Sequence, residues 1–402
     1  MDTTVAGIGS VVVAELRSAG YMESTIGQYE KTIKALTGFV EARGSASYTP
    51  SLGAAFASMT VSPRTGRFSA QRRFDYGRLI RVFDTYVRAG RVDLSCRKRG
   101  GGGVRPWSGE FGALSAAWEA DMDDRGLAPA TREAYGRVSC GYMVFLESRG
   151  IERLCDADGA SVLGFLESLS GRWAASSLFW VVSNFRPFLK FTGRTDLIDA
   201  ARMAGVKRSH AILPVLSDDD ERLIMRACAS GLVSARDAAI TLLALTTGLR
   251  ACDIIGLRLA DVDWRARSVA IVQRKTRQSL TLPLSDLLVF RLAGYVLDDR
   301  PGSPDDHVFL RVNAPHTRLA DHAAVHRITA NVFCVAGVSG VSGGTRFLRH
   351  NAASRLLRAA VPLPTISAVL GHSSPESTDV YLSVDRDRLL HCVLELPEAA
   401  RS

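Results

Sequence analysis

The chain has 402 residues, 47% of them hydrophobic and 23% charged, with a formal net charge of +9. Such a length predicts two or three domains with well-buried cores, and the lack of any apolar run near ~18 residues excludes a membrane-spanning helix. Seven scattered cysteines without a CxxC pair argue against a zinc ribbon or a disulfide scaffold, and residues 1–10 lack the basic start and apolar stretch of a secretory signal, so a reducing, cytoplasmic setting is expected. The basic excess favours a polyanionic partner. Lysine occurs six times against 44 arginines, and beyond Arg208 the one lysine is Lys275.

Apolar residues at three- and four-residue spacing predict a helix over 25–40, within an N-terminal helical domain of residues 1–95. Residues 96–108 open on CRKRGGGGVRPW and read as a Gly-rich basic linker, because glycines leave nothing to pack and Pro106 restricts the chain that follows. The glycine tract lacks the GK[ST] that a phosphate-binding loop requires. A second helical domain, 109–206, carries a helix over 131–146, and Trp173, Trp180 and Phe185 are assigned to its core. The two helical domains repeat each other. Gly20, Thr25, Tyr29, Phe39, Glu41, Arg43 and Gly44 recur as Gly126, Thr131, Tyr135, Phe145, Glu147, Arg149 and Gly150 at a constant offset of 106. Arg81 and Phe83 recur as Arg186 and Phe188 at an offset of 105.

A second linker, 207–216, precedes a mixed α/β domain, 217–402. Ser217 followed by Asp218, Asp219, Asp220 and Glu221 is a helix start, with acids at the positive end of the dipole. A helix over 235–247 stops at Gly248, and the β-prone runs 268–273 and 279–284 flank RKTRQ, which predicts a hairpin. Helices are expected over 286–298, 321–336, 346–360 and 365–370. A short helix from Pro375 then carries Tyr381, and 387–396 forms a last amphipathic element. The fold class is mainly α with a small β-sheet.

The third domain concentrates chemistry-bearing residues. TTGLRACDIIGL sets Arg250 just beyond a glycine at a helix junction, and RKT sets Lys275 in the hairpin. RFLRH sets Arg349 near a helix start, and LGHSSPESTDVY sets Tyr381 nine residues after His372. These residue types suit attack on a phosphodiester without a metal. Two guanidiniums clamp the non-bridging oxygens by paired hydrogen bonds. A tyrosine attacks phosphorus and holds it covalently, while a lysine protonates the leaving 5′ oxygen. Cys252 reads as a small buried residue, not a nucleophile. His316, His322 and His326 have no HExxH arrangement and no cysteine at ligand spacing, so neither a metal nor another cofactor is expected.

The order and spacing of GLRxxDxxxL, the hairpin Lys-Thr, LRH, and LGH followed by tyrosine resemble the tyrosine recombinase, or phage integrase, family over about 217–390. Residues 109–206 are similar to that family's helical core-binding domain. The resemblance implies two tandem helical, SAM-like DNA-binding domains ahead of a catalytic domain. It implies a site-specific recombinase that cleaves and rejoins DNA through a 3′-phosphotyrosine, in integration or transposition, with neither ATP nor metal. Tyr381 would be the nucleophile, Arg250 and Arg349 would hold the scissile phosphate, Lys275 would be the general acid, and His372 would hydrogen-bond the phosphate. Asp253, where the family usually has glutamate, would buttress Arg250. Arg274 and Arg277, beside Lys275, would contact DNA. The implied partners are double-stranded target sites, a homo-tetramer assembled on them and companion recombinases, at the nucleoid and away from membranes.

One position departs from the family. Its HxxR motif begins here with Arg346, which has no acceptor and cannot take the phenolic proton. Arg346 can still donate to the phosphate and favour tyrosinate over a phenol of pKa ~10. His350, four residues on, is expected on the same helix face. Two further readings stand beside the first. One is a DNA-binding partner recombinase with little cleavage of its own, motivated by Arg346. The other is a type IB topoisomerase-like relaxing enzyme, made less apt by the paired helical domains.

Overall fold

The computed structural model describes residues 3–45, 47–94, 105–171, 173–203, 214–341 and 343–371. It divides into two compact units, Cys96–Ala211 and a second made of Met1–Ser95 with Ile212–Ser402. The described elements are helices apart from one three-stranded sheet, so the chain is mainly α as expected. No described helix is long and apolar enough to cross a membrane. His372, Tyr381 and the elements expected beyond them lie outside the described residues, as do most positions of the two linkers.

Residues 3–94 form α1 (Val5–Ser18), α2 (Glu23–Glu41), α3 (Pro50–Ala57) and α4 (Ala70–Ala89). Hydroxyls of Thr4, Thr49 and Ser69 accept the N–H groups of Gly7, Leu52 and Arg72 at 3.0, 3.3 and 3.3 Å, which caps α1, α3 and α4. Their apolar faces meet around Ile8, Leu16, Ile26, Leu36, Phe56 and Phe83. Both acids of α4 are taken up within this core. Buried Asp75 accepts from Gln28 and Gln71 at 2.9 Å, and Asp84 accepts from the Tyr48 hydroxyl at 2.6 Å. Burial, reinforced by Asp84, pushes the Tyr48 phenol far up. Arg73, Phe74, Gly77, Arg78 and Arg81 line a shallow groove on α4.

The unit Cys96–Ala211 contains α5 (Gly109–Asp124), α6 (Pro129–Glu147), α7 (Gly159–Ser170), α8 (Ala175–Phe191) and α9 (Thr195–Met203). Its core holds Trp118, Tyr142, Phe165, Phe185 and Phe188. Buried Glu147 accepts the N–H groups of Trp107 and Ser108, each at 2.8 Å, and so ties the start of the unit to α6. Phe185 is in the core as expected, but Trp173 and Trp180 are not. They are 39% and 38% exposed and stack on each other, with ring centroids 6.4 Å apart. At about 100° per residue, Trp180 stands about 140° round α8 from Phe185, off the buried stripe.

The repeated glycines share a conformation. Gly20, Gly126, Gly44 and Gly150 have φ of +76°, +63°, +68° and +76°. After each of them the next residue donates to the carbonyl five positions back: Tyr21 to Leu16, Leu127 to Met122, Ser45 to Val40 and Ile151 to Leu146, at 3.0–3.3 Å. That is the Schellman closure, which a left-handed glycine allows. Arg43 lies over Phe39 and Arg149 over Phe145 in the same relation, at 3.6 and 5.3 Å.

Residues 214–371 surround one central helix, α11 (Ala235–Thr247), which is buried at every position from Ala238 to Leu245. Before it, α10 (Asp218–Ala229) opens on the Ser217 hydroxyl, which accepts from Asp220 N–H at 3.0 Å. After it come α12 (Ala251–Gly256) and the antiparallel sheet β1 (Val262–Asp263), β2 (Ser268–Val272) and β3 (Ser279–Pro283), in that order. Val272 pairs with Ser279, so residues 273–278 form the hairpin end. Around α11 pack α13 (Asp286–Gly294), α14 (His322–Val335) and α15 (Thr345–Arg358), and α15 in turn meets α16 (Leu363–Leu370). A wider π turn, Tyr295–Asp299, continues α13 to the expected length. Asn351 of α15 accepts from Leu216 N–H at 3.0 Å and Arg355 pairs with Glu221, which fastens α15 to α10.

Candidate active site

Four segments converge: the loop 248–250, the hairpin end, α15 and the last turn of α16. Gly248 ends α11 at φ +65°, and an added Cβ there would lie 2.9 Å from Leu370 and 3.2 Å from the Ala352 Cβ. This close approach lets α15 and α16 lie against the loop. Arg250 follows, in extended conformation at the N-cap of α12, half-buried. Arg349, 7% exposed, donates from Nη1 to the Gly248 carbonyl at 3.0 Å and from Nη2 to the Leu370 carbonyl at 2.6 Å. Arg250 Nη1 donates to Gln273 Oε1 at 2.7 Å. Gln273 Nε2 donates to the same Leu370 carbonyl at 2.9 Å. One chain of hydrogen bonds thus runs from Arg250 through Gln273 and Leu370 to Arg349 and back to the Arg250 loop.

The hairpin presents its cations outward. Arg274, Lys275 and Arg277 are all exposed, and Arg277 holds the turn at φ +59°. The Arg274 guanidinium lies over Gly256, where an added Cβ would be 2.8 Å from Nε. Asp253, 4% exposed, accepts the Arg274 backbone N–H at Oδ1, 2.9 Å away. Among the described residues Asp253 therefore anchors the hairpin backbone, and its Oδ2 is buried without a hydrogen-bond partner. Its carboxylate reaches Arg250 only through adjacent Arg274 and Gln273, while its backbone N–H donates to the Arg250 carbonyl at 2.9 Å. Cys252 is half-buried beside Asp253, and burial together with that carboxylate raises its thiol pKa, which keeps it protonated.

Arg346 is exposed in the first turn of α15, and His350 is 2% exposed. Both residues lie in regular helix, so the i, i+4 relation holds, but His350 falls within the stretch buried continuously from Phe347 to Ser354. His372 begins one residue beyond Gly371, the last described position, and Tyr381 lies outside the described residues.

The residue missing from the sequence reading is Gln273, fully buried at the end of a run assigned to a plain strand. Only its position two residues before Lys275 marked it out. For a metal, the one described group with three ligand atoms within reach of one another is Asp305, Asp306 and His307, not the expected-against trio of histidines. The carboxylates and His307 Nδ1 are already engaged, and His307 Nε2 is buried without a hydrogen-bond partner. Asp305 accepts from His307 Nδ1 at 2.5 Å, His307 N–H at 3.0 Å and Arg318 N–H at 2.9 Å, and Asp306 pairs with Arg258 at 2.5 Å. Burial pushes the Asp305 carboxyl up, but the hydrogen bonds from His307 and Arg318 outweigh it and hold the pKa at about 2.

Chemically, two guanidiniums linked through the Gln273 amide and the Leu370 carbonyl, on a site whose hairpin carries an exposed lysine, can bind a phosphodiester. Residues 214–388 match the phage integrase family. The tyrosine recombinase XerC of Mycobacterium leprae is 30% identical over 280 residues, which cover 66% of this chain and 93% of that one. Among solved structures, the XerH site-specific recombinase bound to a palindromic difH substrate has the same fold, with a TM-score of 0.57 at 14% identity over 85% of this chain and 92% of that one. A lambda integrase dimer bound to a COC′ core site does too, with a TM-score of 0.53 at 17% identity over 85% and 94%. The chain belongs to the phage integrase family of tyrosine recombinases, enzymes that break and rejoin DNA.

Proposed function

We propose that this chain carries out site-specific DNA strand exchange through a 3′-phosphotyrosine on Tyr381, in DNA integration or transposition. The observation that carries this reading is the hydrogen-bonded chain joining Arg250 to Arg349 at Leu370, two residues before His372, with Lys275 on the hairpin that supplies the joining amide. Arg250 and Arg349 bind the non-bridging oxygens and stabilise the charge that grows on them in the transition state. Lys275 gives its proton to the departing 5′ oxygen. His372 adds a hydrogen bond to the phosphate. The bond energy stays in the phosphotyrosine, so rejoining needs no nucleotide.

Residues 109–206 act as the core-binding domain and 1–95 as its tandem helical copy. The matched left-handed glycines and arginine–phenylalanine stacks support the repeat. The face of α4 that carries Arg73 and Arg81, beside Arg78 paired with Asp75, fits a DNA backbone. Arg274 and Arg277 extend the cationic surface of the hairpin. A homo-tetramer on two sites is the working assembly, consistent with the lambda integrase tetramer bound to a Holliday junction, whose fold is similar.

A nicked suicide duplex tests the reading. Wild type should trap covalent DNA, and Tyr381→Phe should bind equally well and trap none. Trapping by Tyr381→Phe would displace that residue from the nucleophile role. One observation favours a second reading, a partner recombinase with weak cleavage: exposed Arg346 stands where a proton acceptor is usual. Wild type that binds the site but traps DNA only with a companion present would establish it.

A further inference from the structure

We infer that Gln273 is a positioning residue of this site: its buried amide grips the Arg250 guanidinium at one end and the Leu370 carbonyl at the other, so that both arginines and the chain entering His372 are held as one unit. The inference rests on the strand-exchange reading. Gln273 is 0% exposed, and both polar atoms of its amide are engaged. Oε1 accepts from Arg250 Nη1 and from the Thr276 hydroxyl, both at 2.7 Å. Nε2 donates to the Leu370 carbonyl at 2.9 Å, where Arg349 Nη2 also donates at 2.6 Å. The backbone of Gln273 closes the turn that bears Lys275, donating to Gln278 O at 2.8 Å and accepting from Arg277 N–H at 2.9 Å.

The residue type follows from this double task. A guanidinium needs an acceptor and a carbonyl needs a donor, and an amide supplies both without adding charge. Glutamate would keep the acceptor but set an anionic oxygen against the Leu370 carbonyl. Asparagine is one methylene short of the span. The fit is close. At Gly371, whose φ is +63°, an added Cβ would stand 2.4 Å from Oε1 and 2.6 Å from Cδ of Gln273. The glycine of LGH is thus the space into which the amide fits. Gln273 does not point a proton or an acceptor at the reacting phosphate; it acts through Arg250. Holding a guanidinium in one orientation before DNA arrives removes reorganisation from the chemical step.

The test uses the full chain, a target duplex and a nicked suicide substrate, with Gln273→Leu, Gln273→Glu, Arg250→Ala and the double variant Gln273→Leu/Arg250→Ala. Gln273→Leu should bind DNA as wild type does and slow single-turnover covalent trapping about 100-fold. In the Arg250→Ala background it should slow trapping by less than about threefold, because the amide acts through that arginine. Gln273→Glu, which keeps size and acceptor, should fold and trap at an intermediate rate. Equal slowing in both backgrounds, as a general structural defect would give, overturns the inference. So does a wild-type rate in either single variant. The guanidinium N–H signals of Arg250 give a readout independent of cleavage. They should exchange slowly with solvent in wild type and quickly in Gln273→Leu, and unchanged exchange refutes the clamp. A wild-type protein that traps no DNA would defeat the strand-exchange reading while the exchange measurement still decides the clamp.

Discussion

Gly371→Ala should be unusually costly for so small a change. Gly371 closes α16 in the left-handed region at φ +63°, and its new Cβ would meet the Gln273 amide at 2.4 Å. Alanine in that conformation costs about 1 kcal/mol. Expelling the amide also breaks its charge-assisted bond from Arg250, at about 1.5–3 kcal/mol, and a neutral one to Leu370, at about 1 kcal/mol. Partial relaxation of the long glutamine side chain recovers some of this, so a loss of about 3 kcal/mol is expected. For a domain of this size that lowers the melting midpoint by about 6–12 °C. Gly77→Ala is the control. Gly77 is helical within α4 and an added Cβ meets nothing within 4 Å, so alanine should be neutral or stabilise by about 0.5–1 kcal/mol. Thermal melts of the full chain followed by circular dichroism, with single-turnover trapping alongside, read both. A Gly371→Ala protein that melts with the parent and traps DNA at the parent rate would refute the packing argument.

Three further outcomes follow from the site and its surroundings. Lys275→Ala should slow cleavage of an ordinary 5′-oxygen leaving group, and a 5′-bridging phosphorothiolate, which leaves without a proton, should restore the rate; no rescue removes Lys275 from the acid role. Arg346→His should lose activity if the site is built around a fixed charge, and Arg346→Lys should keep more than Arg346→Ala; trapping measured across pH 6–9 reads this, and a clear gain by the histidine variant, whose imidazole titrates near ~6.5, would overturn it. Asp305, held at about pKa 2 in the folded chain, contributes stability that is fully present above its unfolded pKa of ~3.9 and is lost as pH falls through about 2. Asp305→Asn should therefore flatten the acid end of the stability profile between those values, and an unchanged acid slope would count against the hydrogen-bonded carboxylate.

Much of the architecture was written locally. A helix is built from hydrogen bonds four residues apart, so apolar spacing and caps such as Ser217 mark its course without reference to the rest of the chain. The hairpin around RKTRQ was legible for the same reason, and the strands 268–272 and 279–283 fall where the β-prone runs lie. The glycines repeated at an offset of 106 take matching left-handed closures. The motifs named Arg250, Lys275 and Arg349 as residue types suited to a phosphate, and the family resemblance named Asp253 as a support for Arg250.

Burial and partnership were decided elsewhere. The period of a helix says which residues share a face but not what covers that face. Trp180 therefore went to the surface while Phe185 went to the core, and His350 is buried while Arg346, one turn earlier in the same helix, is exposed. Asp253 sits one helical turn from Arg250 yet gives a carboxylate oxygen to the hairpin backbone at Arg274. Gln273 gained its role only when Leu370, 97 residues away, was folded against it. A hydrogen bond between such distant segments depends on the packing of every element between them, and no local pattern encodes it.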